Sequence, residues 1–456
     1  MERIEDLSEH RGDELVFELQ KRIEKNRNRR FNKWLDKRQP YDLARALNAL
    51  EEKQLGLLIK KANNINLAEI ISESEKDLQE EIISQLQSKR AADVVGYLPS
   101  DEAVDILLAL NSNKREAVLN HLSGKQVELL RSLMTYKEET AGSLMSTEYV
   151  AYRSSLTVAE TLKKIREWNR EVVNLDNIFV LTKEEKLSGI VEIEDLLTSA
   201  AEKTLAELAE TDIISVSPEM DQEEVSLLVS NYDLKVVPVI DEKEKMLGII
   251  TVDDVIDVIQ SESTEDMLKM VGIDKEERVG STLVESIKNR LPWLYINLGT
   301  AFLAALIVGI FEDVIAQVTA LAVAMPVVAG MGGNAGSQTL AIIIREIALG
   351  ELSFRENWRV VIKEAILGII HGAAIGLLTA IILYINYGNL YLALIIFLAI
   401  VANLVMAGLS GFLIPVTLKG LGLDPALSAA IFLTTVTDVF GFFVFLGLAR
   451  MVIEFL

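Results

Sequence analysis

The sequence predicts a multidomain membrane protein with an all-α N-terminal part, an α/β middle part and an all-α membrane domain of five transmembrane helices. Three observations predict this fold class. Charged residues crowd positions 1–290, whereas 291–456 are mostly Leu, Ile, Val, Ala, Phe and Gly. An internal repeat occupies 143–262, and five apolar stretches near the C-terminus are long enough to span a bilayer. We expect the domains 1–140, 141–205, 206–262, 263–288 and 289–456.

The composition limits the classes of function. The formal charge of −22 over 456 residues argues against nucleic acid as a partner and in favour of cations. The absence of Cys excludes disulfides, thiolate zinc sites and cysteine nucleophiles. Three His residues are too few to favour a histidine-built metal site. The sequence shows neither a nucleophile–base pair nor a P-loop, so we expect no enzyme.

The N-terminal part is predicted to be helical. Apolar residues recur there at spacings of three and four, as at Leu43, Ala46 and Leu47, without the alternation of a strand. In "LPSDE" we expect Ser100 to cap a helix. The first turns of that helix carry Asp101, Glu102 and Asp105. Helix capping explains one or two of these acids, and a surface that faces a partner domain would explain all three.

The repeat over 143–262 predicts two copies of one α/β unit. Each copy has an amphipathic helical stretch, a β-branched run, a charged turn, a Gly-led strand and an acidic helix start. The strands are predicted at 178–181, 189–193, 236–240 and 248–251. Because one such unit cannot bury its apolar face alone, we expect the two copies to pair. The pattern resembles a tandem of cystathionine β-synthase (CBS) domains, which are regulatory modules.

The resemblance to CBS domains implies an adenine nucleotide such as ATP as a second ligand. In that family a hydroxyl and an Asp after the second strand commonly hold the ribose, and Thr251 and Asp254 fit this pattern. The first copy keeps Asp195 but has Glu192 in place of the hydroxyl residue. It also has Glu194, a negative charge where a phosphate would come. Nucleotide binding and its absence therefore both stay open from the sequence.

An acidic segment joins the repeat to the apolar part, and we expect a linker (plug) helix over 263–288. Glu262, Glu265 and Asp266 are spaced i, i+3 and i+4, so they share one face of a helix. Close carboxylates repel one another unless cations neutralise them, and hard oxygen ligands suit Mg²⁺ or Ca²⁺. The segment is therefore either a divalent-cation sensor or a solvated acidic helix.

The five predicted spans also predict an orientation in the membrane. They are 291–311, 314–344, 361–387, 391–418 and 426–453. The loop Lys and Arg residues lie before the first span and after the second and fourth: Lys288, Arg290, Arg345, Arg355, Arg359, Lys363 and Lys419. By the positive-inside rule the N-terminal half is cytoplasmic and the C-terminus is outside, with Arg450 as a mild exception. The charged N-terminus also lacks the apolar core of a signal peptide.

Two features within the spans predict an ion pathway. The run "MPVVAGMGGNAGSQTLA" (325–341) is rich in Gly and predicts an interrupted helix with inward-facing carbonyls. Its alternative is close helix packing by small residues. Asp438 lies inside the fifth span, where a carboxylate normally faces protein or water rather than lipid. Its alternative is a structural acid bonded to Thr434, Thr435 or Thr437.

The order of these parts, together with four motifs, resembles the MgtE family of magnesium channels and transporters. The motifs are "TVDDVIDVIQSESTEDM" (251–267), "GGNAGSQ" (332–338), "LGLDPAL" (421–427) and "TTVTDVFG" (434–441). The resemblance implies a homodimer in the lipid bilayer that imports Mg²⁺ and closes when intracellular Mg²⁺ is high. Transport of another divalent cation (Co²⁺, Ni²⁺ or Mn²⁺) and a membrane sensor of Mg²⁺ or nucleotide without transport stay as alternatives.

The resemblance also implies roles for individual residues. Asp438 matches the pore aspartate that holds hydrated Mg²⁺, beside Thr434 and Thr437. Gly333, Asn334 and Ser337 match the ion-site segment of the second span, where family members often have Asn in place of Ser337. The acids that match regulatory Mg²⁺ sites are Asp101, Glu102, Asp105, Glu223, Asp233, Asp254, Asp257, Glu262, Glu265, Asp266 and Asp424.

Overall fold

The computed structural model describes residues 2–25, 28–167, 175–352, 358–427 and 429–456. Of the residues used above for the membrane orientation, Arg355 lies outside these ranges. The chain forms two compact units, Met1–Ile256 and Asp257–Leu456.

The first unit begins with ten helices in the described part of the chain. They are α1 (Glu2–Lys25), α2 (Asn28–Leu35), α3 (Pro40–Leu47), α4 (Glu52–Lys61), α5 (Asn64–Ser72), α6 (Lys76–Gln85), α7 (Ser88–Val95), α8 (Ser100–Ala109), α9 (Ser112–Leu119) and α10 (Gly124–Leu133). The residues that predicted a helical core are buried, including Leu43, Ala46 and Leu47. The all-α N-terminal part is therefore confirmed.

Ser100 does not cap a helix, so that prediction is wrong. It is the first residue of α8, and Pro99 takes the N-cap position without a capping side chain. The Ser100 hydroxyl is buried and donates to Glu148 Oε2 at 2.9 Å. The Ser100 hydroxyl therefore binds a residue 48 positions away in the sequence instead of capping its own helix.

Two α/β repeats follow, and the first compact unit ends within their last helix. Their elements are α11 (Ala141–Leu144), β1 (Val150–Arg153), α12 (Val158–Glu167), β2 (Asn177–Leu181), β3 (Leu187–Glu192), α13 (Ile193–Thr198), α14 (Leu205–Leu208), α15 (Gln222–Tyr232), β4 (Val236–Ile240), β5 (Met246–Thr251) and α16 (Val252–Met270). Strand β2 pairs with β1 in parallel and with β3 antiparallel, and β4 pairs antiparallel with β5. The repeated order of helix, strand, strand and helix is confirmed.

The two repeats face each other through equivalent turns. Lys186 pairs with Glu244 at 2.8 Å, and Lys245 pairs with Glu185 at 2.8 Å. Both glutamates adopt left-handed backbone geometry, each with φ of 63°. Exposed ion pairs stabilise a fold only weakly, but their reciprocity shows that the repeats pair as equivalent units.

The helical part and the second repeat share one hydrophobic core. Leu130 and Leu133 of α10 belong to the same buried cluster as Val225 of α15 and Ile250 of β5. Gly142 is needed at this junction, since a Cβ there would lie 2.6 Å from the Tyr136 ring. The acids of α8 are thereby held in one compact body with the second repeat.

The second unit contains the end of α16 and the apolar helices. A linker helix over 263–288 is not what the structure has, because α16 ends at Met270 and the next helix begins at Leu283. Gly272 follows α16 with a left-handed φ of 73°, a geometry that commonly ends helices. Thr282 then caps the next helix with Glu285 in a capping box.

Five helices in the described part of this unit are long and apolar enough to cross a membrane. They are α17 (Leu283–Ile310), α19 (Ala320–Ala348), α20 (Trp358–Tyr387), α21 (Leu390–Gly420) and α22 (Ala429–Met451). The short α18 (Glu312–Gln317) precedes α19, and a 3₁₀ turn (Ile453–Phe455) follows α22. The predicted number of spans is confirmed. Arg450, the exception in the charge pattern, lies 3.9 Å from Asp313 and over the Phe311 ring.

The Gly-rich run does not interrupt its helix, so that prediction is wrong. Helix α19 is continuous over Ala320–Ala348. A Cβ on Gly332 would collide with the Asn403 side chain, and one on Gly336 would lie 2.7 Å from Leu433. Close packing against α21 and α22 therefore outweighs the low helix propensity of Gly, and the alternative of packing by small residues is the one observed.

Small residues also set the contact between α20 and α21. Gly368, Gly372 and Gly376 are buried at intervals of four, so they form one stripe along α20. A Cβ on Gly372 would lie 2.7 Å from Val401 Cα, and one on Gly368 would lie 2.7 Å from Val405 Cα. The two backbones therefore touch where side chains would keep them apart.

We expect Gly372→Ala to lower the free energy of unfolding of the membrane unit by about 1–3 kcal/mol, because the added methyl group meets backbone rather than a movable side chain. Thermal unfolding of the full chain in detergent measures this. Gly299→Ala is the matched control, since a Cβ at Gly299 has no neighbour within 4 Å. Equal midpoints for the two variants would contradict the close approach of α20 and α21.

Candidate functional site

The fifth span carries a carboxylate, Asp438, in an otherwise apolar stretch. Asp438 on α22 is half-buried, and no hydrogen bond or ion pair to it exists among the described residues. The neighbouring hydroxyls are used elsewhere: Thr434 donates to Ala430 O at 3.0 Å, and Thr437 donates to Leu433 O at 3.1 Å. Thr435 likewise donates to its own helix. The alternative of a structural acid bonded to these threonines is therefore not observed.

The Gly-rich segment of α19 lies directly against this part of α22. A Cβ on Gly333 would be 3.7 Å from Thr434 Cγ2, and one on Gly332 would be 3.2 Å from Thr437 Cβ. Asn334 is exposed and Ser337 is half-buried on the same segment. The structure thus brings together the two predicted pathway segments. Because α19 is unbroken, the segment offers side-chain oxygens rather than freed backbone carbonyls.

Asn403 fills the space where α19, α21 and α22 meet, and the sequence did not predict this role. It is fully buried, and its Nδ2 donates to Val328 O at 2.9 Å. Its Oδ1 is buried without a hydrogen-bond partner among the described residues. The side chain packs against Gly332 and Gly441. The signal that could have identified Asn403 from the sequence is a polar amide side chain within an apolar span.

A second acid inside the spans was also missed. Glu364 on α20 is buried, and its Oε2 accepts a hydrogen bond from Thr339 Oγ1 at 2.9 Å. A Cβ on Gly411 would lie 2.9 Å from Thr339 Cβ, so a glycine on α21 makes room for this pair. Glu364 therefore differs from Asp438, because its carboxylate is used in a contact between spanning helices.

Four carboxylates gather where α16 meets the loop before α22; we call Glu262, Glu265, Asp266 and Asp424 the linker acid cluster. Lys269 donates to Asp424 Oδ2 at 2.5 Å and also pairs with Glu265. Lys275 lies 3.4 Å from Glu265. The loop acid, 155 positions away from Lys269, is thus brought to the predicted acidic face of the helix.

The environment of the linker acid cluster shifts the pKa values of residues within it. Burial raises the pKa of Asp266 to about 6, and the nearby charges of Asp424 and Glu262 add to the rise. Burial alone would lower the pKa of Lys269, but hydrogen bonds to Asp424 and Glu265 outweigh it and hold that pKa above its ordinary value. The cluster therefore favours any positive charge that enters it.

A second group of acids lies within the first unit; we call Asp101, Glu102, Glu148 and Asp254 the helical-domain acid cluster. Burial raises the pKa of Asp101 to about 8, and the charges of Asp254, Glu102 and Glu148 add to the rise. Among the described residues, Asp101 Oδ1 and Glu102 Oε2 are buried without hydrogen-bond partners. Such orphaned oxygens fit a hard cation such as Mg²⁺.

Glu148 was missed because its neighbourhood in sequence carries no sign of its role. Its Oε2 accepts hydrogen bonds from Ser100 N at 3.1 Å, from Ser146 Oγ at 2.7 Å and from Thr147 N at 3.1 Å. The carboxylate therefore joins α8 to the segment before β1. Its hydrogen bond with the Ser100 hydroxyl explains why Ser100 does not cap α8.

The remaining predicted regulatory acids belong to neither cluster. Asp105 is exposed and lies 3.8 Å from Lys76. Glu223 lies in the first turn of α15, Asp233 is exposed at its left-handed end, and Asp257 is exposed on α16. Within the described ranges, no group of three or more His, Asp or Glu side chains is arranged to hold a metal ion.

Two of the residues expected to bind a nucleotide are hydrogen-bonded to each other. Thr251 Oγ1 donates to Asp254 Oδ2 at 2.5 Å, so the hydroxyl and carboxylate of the second repeat are in direct contact. In the first repeat, Asp195 is exposed on α13 beside Glu194, which is also exposed. The two repeats therefore present different chemistry at equivalent positions.

Comparison with known proteins identifies the family. A profile described as "Divalent cation transporter" (MgtE) matches residues 325–448, the MgtE intracellular N domain matches 38–139, and the CBS domain matches 141–202 and 205–261. The magnesium transporter MgtE of Thermus thermophilus is 35% identical over 71% of this chain and 72% of its own. This chain belongs to the MgtE family.

Two further proteins place this MgtE chain among its relatives. The magnesium transporter MgtE of Bacillus subtilis is 29% identical over 96% of this chain and 97% of its own. A solved cytosolic domain of the Mg²⁺ channel MgtE in complex with ATP is 28% identical, with a TM-score of 0.51. It covers 53% of this chain and 99% of its own. The similarity thus extends over the soluble and membrane parts, and the relatives are named as transporters rather than enzymes.

For the helical-domain acid cluster of this MgtE chain, we predict a pH effect with a definite sign. The pKa of Asp101 rises from 3.8 to about 8, so the folded state holds a proton that the unfolded state releases. Stability should therefore fall as pH rises between these values and level off above the upper one. Asp101→Asn, which needs no proton, should raise the melting temperature by about 2–4 °C near pH 8 and by clearly less near pH 5.

Thermal unfolding of the full chain in chelator, followed at both pH values, tests this. Asp93→Asn is the control, because Asp93 is an exposed acid on α7 in the same unit of the chain. An Asp101→Asn variant that is less stable than wild type near pH 8 would show that the carboxylate is stabilised in its ionised form.

Proposed function

We propose that this protein imports Mg²⁺ across the cytoplasmic membrane and that intracellular Mg²⁺ closes it. The observation that carries the proposal is Asp438, a half-buried carboxylate in an apolar span without a partner among the described residues. It lies on the helix that packs against the Gly333 segment. Membership of a family described as divalent cation transporters, with relatives named magnesium transporters, supports the choice of ion.

In the proposed pore, two chains assemble and each contributes one Asp438. Two carboxylates about one axis repel each other, and a divalent cation relieves that repulsion better than a monovalent one. Mg²⁺ gives up its water reluctantly, so oxygen groups that accept hydrogen bonds from bound water suit it better than a dry cage. Thr434, Asn334 and Ser337 offer side-chain oxygens on the two helices that meet there. We propose passive conduction down the electrochemical gradient.

The proposed orientation places the N-terminal domains in the cytoplasm and the C-terminus outside. The charge pattern of the loops supports it. The ion pair of Arg450 with Asp313 also accounts for the one basic residue that does not follow that pattern.

The proposed regulation acts through the two acid clusters. In the helical-domain acid cluster, Asp101 and Glu102 would hold Mg²⁺ through oxygens that lack protein donors. In the linker acid cluster, Glu262, Glu265, Asp266 and Asp424 provide the oxygens. Bound Mg²⁺ stabilises the closed arrangement only by the amount by which it prefers that state. Its removal restores repulsion among the acids.

An adenine nucleotide is a second ligand in this proposal. The support is the relative solved with ATP, which is similar to this chain over its cytosolic part. Thr251 and Asp254 of the second repeat would hold the ribose, after giving up their mutual hydrogen bond. Glu194 and Asp195 of the first repeat would repel a phosphate there, so we place the nucleotide at the second repeat alone.

Asp438→Ala should reduce Mg²⁺ uptake to background, because the pore loses the charge that attracts the ion. Uptake into proteoliposomes measures this, with size-exclusion chromatography as the test of folding. Asp313→Asn removes a carboxylate of the same kind from an exposed position and should leave uptake unchanged. Normal uptake by Asp438→Ala would contradict the proposed pore.

Neutralising Glu262, Glu265 and Asp266 together, as Gln, Gln and Asn, should raise the Mg²⁺ concentration that half-inhibits uptake by about tenfold or more. The maximal uptake rate should stay unchanged, since these acids lie outside the proposed pore. A control variant that converts three exposed acids, Glu276, Glu312 and Glu351, to Gln changes the net charge equally. If both variants shift inhibition by the same factor, the linker acid cluster is not the sensor.

A further inference from the structure

Lys269 occupies the centre of the linker acid cluster. Its ammonium group contacts carboxylates from two elements, Glu265 on its own helix and Asp424 on the loop before α22. Its side chain is 27% exposed, and that of Glu265 is 12% exposed. An exposed lysine normally remains solvated, whereas this one is directed inward between two acids.

The surroundings of Lys269 are those expected of a bound cation. Two carboxylates contact the ammonium group directly, and Glu262 and Asp266 add negative charge from the same helix. Lys275 reaches Glu265 from the other side at 3.4 Å. A lysine ammonium is a compact point charge with three donors, so it can sit where a small hydrated cation would sit. An arginine, with its planar fork, would not match that position as well.

We propose that Lys269 is a tethered cation that occupies the divalent-cation position of the linker acid cluster, and that Mg²⁺ binds there by displacing it. The proposal rests on the proposed regulation by Mg²⁺. At low Mg²⁺ the lysine neutralises part of the repulsion and holds Asp424 to α16. At high Mg²⁺ the divalent ion takes Asp424 and Glu265, and the ammonium group moves out to water.

This competition would set the concentration at which the protein responds. A ligand that must displace another binds with an apparent affinity reduced by the fraction of sites the competitor fills. The competitor is part of the chain, so its local concentration is constant and does not depend on the cell. Lys269 would therefore raise the Mg²⁺ threshold above the value that the four carboxylates alone would give.

A purely structural role for Lys269 predicts the opposite change. If the lysine only supported the contact between α16 and the loop, its removal would weaken the closed arrangement, and more Mg²⁺ would be needed to close it. If it competes with Mg²⁺, its removal should let Mg²⁺ act at lower concentration. The two roles are thus separated by the sign of one shift.

The test uses the full-length protein with Lys269→Gln, which keeps the length of the side chain and removes its charge. Protection of the chain from limited proteolysis is measured against MgCl₂ concentration, and inhibition of uptake in proteoliposomes is measured in parallel. We expect both midpoints to fall by about fivefold, as for the loss of one or two partly exposed ion pairs. Lys269→Arg keeps the charge but fits the position less well, so its midpoints should lie between those of Lys269→Gln and of the wild-type protein.

Lys288→Gln is the matched control, since it removes one positive charge from an exposed position in the same unit. It should leave both midpoints unchanged. Unchanged or higher midpoints for Lys269→Gln would overturn the competition. If wild-type protein shows neither protection nor inhibition by Mg²⁺, the proposed regulation itself fails, and this result is distinct from a wild-type response that Lys269→Gln does not lower.

Discussion

The rest of this structure depends on how the charge of each buried or half-buried carboxylate is compensated. An acid withdrawn from bulk water must find donors, a cation or a proton. Glu364 accepts from Thr339, and Glu148 accepts from hydroxyl and amide groups. Asp424 accepts from Lys269. Among the described residues, Asp438 has no such partner. We therefore place the transported ion at Asp438, the acid that has no compensating partner within the described part of the spans.

The same need links the proposed pore to its regulation. Asp101 is neutralised by a proton, since its pKa lies at about 8, and the linker acid cluster is partly neutralised by lysine. In each place Mg²⁺ would replace a different positive charge. The response to Mg²⁺ then depends on what it displaces as much as on which oxygens receive it. Domains of different fold can thus respond to the same ion, because each contains carboxylates whose negative charge is only partly compensated.

The sequence predicted those features that depend on neighbours along the chain. The five spans and the paired repeats follow from apolar length and from β-branched runs, which are local signals. The unbroken α19 could not be predicted, because Gly332 is explained only by Asn403 on another helix. Glu148 and Lys269 gained their roles from contacts 48 and 155 positions away. Glu364 was predictable, since it lies within the expected third span as Asp438 lies within the fifth.

The packing around Asn403 has a consequence for the evolution of this membrane domain. Its amide fills a space that exists only because Gly332 and Gly441 lack side chains, on two other helices. A larger residue at either glycine would need a smaller one at position 403, and a smaller residue at 403 would open a cavity beside the helix that carries Asp438. These three positions can therefore change only in concert. They should vary together among descendants of a common ancestor, although they lie far apart in the chain.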